Sequence, residues 1–140
     1  MRYFRILPAS LLLLFFTSCE PSLVEQNKEK RAEVIAVHDE VMPKMGTLKN
    51  LEKEVQAKIE ALEMSENPDL NEIENLKALA FDLNAAYEGM FVWMRQYSIE
   101  DEGKSPEEIK LYLEEQMVKV NEVNADIKAA LEKAQEVLKD

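Results

Sequence analysis

A chain of 140 residues has the length of one domain. Its 28 acidic residues outnumber 17 basic ones, a formal charge of −11, which argues against a nucleic-acid partner because that contact needs clustered Lys and Arg to displace counterions. A single cysteine excludes any disulfide within the chain, so stability has to come from packing.

The chain opens on a segment, residues 1–18, that reads as a cleaved signal peptide. It has Arg2 and Arg5 at its start, an apolar run from Leu11 to Phe16, and the small residues Thr17 and Ser18 before Cys19. The run is well short of the roughly 20 residues that cross a bilayer as a helix, which favours anchoring over spanning. Phe16-Thr17-Ser18-Cys19 resembles the lipobox of bacterial lipoproteins, with Phe where that motif usually carries Leu. The resemblance implies a diacylglycerol on the Cys19 thiol and an acyl chain on the new amino group; no other cofactor is expected. Several chains on one residue give lasting attachment where a single chain binds only marginally. Removal of Arg2 and Arg5 leaves 15 basic residues against 28 acidic ones, a formal charge of −13. Contact with an anionic membrane surface is therefore expected from the lipid and not from the protein face. Glu20 stands where Asp would argue for inner-membrane retention in the sorting rule of enteric bacteria, so the outer membrane is expected. If surface display of such lipoproteins needs an acidic run directly after the cysteine, Glu20-Pro21-Ser22-Leu23 lacks one, and the periplasmic face is expected.

Residues 19–31 read as the lipidated N-terminus and a charged tether, and residues 32–140 as an all-α, antiparallel, up-down-up three-helix bundle of coiled-coil character. Helices are predicted over about 24–65, 68–98 and 106–139. Asn67 with Pro68, and Ser105 with Pro106, are cap-then-proline pairs that open helices, and Glu108 adds the capping-box spacing to Ser105. Each helix carries apolar residues at alternating three-and-four spacing. The first seam runs Val34, Val37, Val41, Met45, Leu48, Leu51, Val55, Ile59, Leu62. The second runs Ile73, Leu76, Ala80, Leu83, Tyr87, Met90, Met94, Tyr97, broadened by Leu79, Phe81, Phe91 and Trp93. The third runs Ile109, Leu113, Gln116, Val120, Val123, Ile127, Ala130, Ala134, Val137, with Gln116 expected to set register or reach solvent. Short connections between the helices favour antiparallel neighbours.

Counting back from a turn centred near residue 67 places Gly46 level with Gly89, where two glycines permit close backbone approach. Pro43, lacking an N–H, leaves the Asp39 carbonyl without its helical donor and bends the first helix there. The same level gathers His38, Met42 and Met45 from the first helix and Met90, Trp93, Met94 and Tyr97 from the second, with Tyr112 and Met117 of the third arriving nearby. Methionine fills uneven gaps, and a distorted crossing is where such gaps arise, so packing explains the cluster most simply. A second reading is a soft-metal site for Cu(I) or Ag(I) using His38, Met42, Met45, Met90 and Met94, since thioether and imidazole suit those ions better than oxygen ligands do. No catalytic residue is assigned, and the chain reads as non-enzymatic: the lone His has no serine within helical reach, and no phosphate loop or zinc-binding helix motif occurs. The acidic turn Glu100-Asp101-Glu102 lacks the alternating spacing of a calcium loop.

The lipobox, the segment His38-Asp39-Glu40-Val41-Met42-Pro43-Lys44-Met45-Gly46 and the segment Ala86-Tyr87-Glu88-Gly89-Met90-Phe91-Val92-Trp93-Met94 together resemble a group of small lipoproteins of unknown function from Bacteroidota-type bacteria, some of them labelled "viral A-type inclusion protein". The resemblance runs over nearly the whole chain and implies location and helical fold, with no reaction. The function expected is that of an interaction, adaptor or envelope-structural module at the membrane, meeting an envelope protein or a second copy of itself; periplasmic soft-metal binding is the alternative.

Overall fold

The computed structural model describes residues 21–139, and the signal-peptide segment and Cys19 lie outside them. The described chain forms α1 (Leu23–Val41), a 3-10 turn (Met42–Lys44), α2 (Met45–Glu63), α3 (Leu70–Gln96) and α4 (Pro106–Val137), an all-α bundle of three helical arms. No helix among the described residues is long and apolar enough to cross a membrane.

The three seams make the core. Val34, Val41, Leu48, Val55, Leu83, Met90, Leu113, Val120, Ile127 and Ala134 are fully enclosed, and the other seam residues are buried or half-buried around them. Phe81 departs from expectation: it is 73% exposed, pointing away from the core that Leu79 and Leu83 enter. Two residues on from Leu79 is about 200° round a helix, the opposite face.

Helix ends follow side-chain chemistry. Ser105 accepts from the Glu108 N–H while the Glu108 carboxylate accepts from the Ser105 N–H, the reciprocal capping box expected at the start of α4. The start of α3 differs from expectation, for its cap is Asp69, whose carboxylate accepts from Asn71 and Glu72, and Pro68 precedes the cap. The α3–α4 connection turns at Gly103, whose φ of +80° lies in the left-handed region that glycine adopts without penalty.

The segment read as a tether is helical from Leu23 onward. Ser22 caps α1, Asn27 donates to the Pro106 carbonyl at 2.7 Å, and Arg31 reaches the α3–α4 connection. These contacts dock the charged segment on the bundle and leave only Glu20, Pro21 and Ser22 between Cys19 and α1, a reach of at most about 14 Å when extended.

Pro43 does what its missing N–H requires: the first arm breaks into a 3-10 turn over Met42–Lys44. The break also separates neighbours, because α1 packs chiefly on α4 and α2 chiefly on α3. The backbones of α1 and α3 therefore stand apart, and large side chains fill the wedge between them.

Candidate functional site

The wedge holds a continuous aromatic run. The His38 and Trp93 ring centres lie 5.6 Å apart, those of Trp93 and Tyr97 4.9 Å apart, and those of Tyr97 and Tyr112 6.2 Å apart. Trp93 and Tyr97, four residues apart on α3, face α1 together, and Tyr112 arrives from the first turns of α4.

Beside that run, His38 is placed from both sides. Its Nδ1 lies 2.8 Å from the Asp39 carboxylate and its Nε2 lies 3.2 Å from the Met94 sulfur. An ionised carboxylate only accepts, so the hydrogen between Nδ1 and Asp39 belongs to the imidazole. Nε2 stands within hydrogen-bonding distance of the thioether, to which it donates when it carries a hydrogen and toward which it turns a lone pair when it does not. The imidazole side chain is 17% exposed, so one edge remains open to solvent.

Of the residues singled out at this level, His38, Met94, Trp93 and Tyr97 meet as expected, and Met42 lies one helical turn from His38, half-buried against the core. Met45 and Met90 are enclosed in the hydrophobic core, 6% and 0% exposed, and act there as packing. The glycines share a level but not a contact. Lys49, three residues beyond Gly46, bonds Asn84 and lies over the Tyr87 ring, which confirms the count along the axis. A methyl group built at Gly46 or Gly89 would nevertheless meet nothing within 4 Å, so neither serves a close backbone approach. Each glycine is one residue from a buried methionine, and about 100° of rotation turns it off the seam.

Sequence reasoning missed the polar cluster at the near end of the wedge. Arg31 pairs with Asp101 and donates to the Ser98 carbonyl and the Tyr97 hydroxyl, while the Ser98 N–H donates to the Tyr112 hydroxyl at 2.6 Å. Burial works against the Arg31 charge, but the hydrogen bonds to Tyr97 and Asp101 outweigh it and hold the guanidinium pKa above its ordinary value. No spacing announces this cluster, because its members come from α1, the α3–α4 connection and α4. Gln116 neither reaches solvent nor bonds a neighbour. It is 3% exposed, and its Oε1 and the buried Trp93 Nε1 find no hydrogen-bond partner among the described residues.

At the end from which the chain leaves toward Cys19, a cleft of about 220 Å³ opens among Val24, Asn27, Arg31, Asp101, Pro106 and Ile109. Val24, Ile99 and Leu111 stand exposed at that same end. Among the described residues no group of three or more His, Cys, Asp or Glu side chains converges as a hard-metal site would require. Comparison of the chain with protein-family models, with curated proteins and with solved structures finds no match.

Proposed function

We propose that the chain is a lipid-anchored, non-enzymatic interaction module of the bacterial outer membrane, its bundle standing against the periplasmic face and engaging an envelope protein beside the bilayer. The observation that carries the reading is the near end of the bundle. Val24 is exposed there and lines the 220 Å³ cleft, near the start of a helix that begins only three residues after Cys19, and Ile99 and Leu111 are exposed at the same end on other faces. Exposed apolar side chains gathered at one place mark contact sites more than scattered ones do. Charges of both signs border this end, Lys28 and Lys104 beside Glu100, Glu102 and Glu107, so a partner with an apolar patch and a mixed polar rim fits it best.

Two measurements test the reading. Mass spectrometry of the mature N-terminus should find Cys19 at its start carrying diacylglycerol and an acyl chain, and Cys19→Ser should move the chain from the membrane to the soluble fraction. An unmodified thiol or cleavage elsewhere removes the anchor. In cells, a photo-crosslinking side chain placed at Ile99 or Leu111 should trap a defined envelope protein, whereas one at Phe81, on the far half of the bundle, should not. Equal capture at all three positions would show that the near end is no special surface.

A further inference from the structure

We infer that His38 and Met94 form a binding site for a soft monovalent metal ion, Cu(I) or Ag(I), held in the wedge between α1 and α3 against the indole of Trp93. The inference is independent of the lipid anchor, since every atom it uses belongs to the bundle.

Three features of the geometry converge. The Asp39 carboxylate accepts from the Nδ1–H, which leaves Nε2 as the metal-binding nitrogen and orients the ring; a carboxylate on the far nitrogen is the usual support of a ligating histidine. The Met94 sulfur faces that nitrogen at 3.2 Å. A ring with a proton on Nε2 donates weakly to that sulfur; when that proton is absent, both atoms present lone pairs that a cation between them can take up as two bonds. Imidazole with thioether is a donor set for soft ions, whereas Ca²⁺ and Mg²⁺ demand oxygen. Trp93 supplies the third feature: its ring centre lies 5.6 Å from that of the imidazole, which places an indole next to the ligating ring.

The dimensions suit the ion after a small adjustment. With the roughly 2.0 Å and 2.3 Å bonds of zinc to nitrogen and sulfur as a scale, opened to about 120°, the two donor atoms stand about 3.7 Å apart, and farther apart for the larger Ag(I). That is wider than the 3.2 Å observed, and the rotatable bonds of the Met94 side chain supply the difference. Met42, one turn from His38 and half-buried, is the nearest further thioether in sequence for a third ligand. Met45 and Met90 are excluded by their enclosure in the core.

The chain carries its own reporter, for Trp93 is its only tryptophan. The experiment titrates the full chain in mild detergent with silver nitrate, any free Cys19 thiol having been alkylated, and follows Trp93 emission. A saturable change at about one equivalent, with a dissociation constant at or below about 1 μM, is expected. Met94→Leu and His38→Gln should each weaken binding by about tenfold or more, while a surface variant, Met64→Leu, should not change it. His38 is partly exposed, so His38→Gln keeps the test sound if Met94→Leu disturbs folding; circular dichroism shows which variants remain helical. Emission unchanged at tens of micromolar silver in the folded chain, or an affinity that neither variant alters, would overturn the site.

Discussion

Gln116 occupies a position where leucine would pack. Its side chain is enclosed, its carbonyl oxygen has no donor among the described residues, and an unpartnered buried acceptor costs roughly 1–3 kcal/mol. The contact of Tyr97 with Tyr112 sets the antiparallel register of α3 and α4, and one turn further in along both helices it brings Trp93 level with Gln116. Gln116→Leu should therefore raise stability by about 1 kcal/mol, read from the midpoint of urea unfolding. A loss of stability would instead show that the amide oxygen is held, with a bridging water to the Trp93 N–H as the natural agent. Glu40 poses the opposite case, a polar group with two partners. The Lys128 ammonium first, and the Asn124 amide second, hold its carboxyl below the ordinary value of 4.5. A carboxyl whose folded pKa is depressed contributes stability that is fully present above its unfolded value and is lost as pH falls through the folded one. In Glu40→Gln the decline of stability below pH 4.5 should accordingly be shallower than in the parent chain. Parallel curves for the two proteins would show that the Lys128–Glu40–Asn124 contact carries no net stability.

At the scale of the element, the two helical glycines lead to a definite expectation. Both lie in helices, both have open space where a methyl group would sit, and alanine is favoured over glycine in a helix by about 1 kcal/mol. Gly89→Ala and Gly46→Ala should each stabilise the fold by about 0.5–1 kcal/mol, measured by thermal or urea unfolding. Destabilisation by either would restore the idea of a close helix approach at this level. The same pair shows what could be read from the chain and what could not. Levels along the axis follow from counting residues away from a turn, and Lys49 with Asn84 and Tyr87 bears the count out. Facing depends on rotation at about 100° per residue, so a shift of one position turns a glycine off the seam while leaving its level unchanged. The seams themselves were legible because buried residues must recur at the helical period, and Pro43 and Ser105 were legible because one lacks a donor and the other supplies an acceptor. Asp69 displaced Asn67 as the cap of α3 because both are good acceptors and sequence alone does not rank neighbouring candidates. Arg31 was hidden in a run of Glu and Lys that reads as solvated, and only the closure of the α3–α4 connection brings Asp101, Ser98 and Tyr97 to it.

For the whole molecule the governing fact is the excess of acid. Ion pairs do join its elements: Arg31 with Asp101, Lys58 with Glu72, Lys77 with Glu63, Lys128 with Glu40 and Lys133 with Asp82. Most are open to water, where each is worth about 0–1 kcal/mol and weakens with salt. Against them stands the mutual repulsion of a chain with 28 acidic and 17 basic residues, a long-range term that salt also screens. The two effects oppose each other in sign, so ionic strength decides between them. Because few of the pairs are shielded from solvent while every unmatched carboxylate contributes to the repulsion, screening should remove more repulsion than attraction. The thermal midpoint should rise by about 5 °C between low salt and about 0.5 M sodium chloride, followed by helical circular dichroism. Arg31 marks the exception, since its hydrogen-bonded contacts with Asp101, Ser98 and Tyr97 are partly buried and resist screening. Arg31→Met should therefore lower the midpoint at high salt as well as at low salt, whereas Lys133→Met should lower it only at low salt. A midpoint that falls with added salt in the parent chain would show instead that the cross-helix pairs, and not the charge excess, set the electrostatic balance of the bundle.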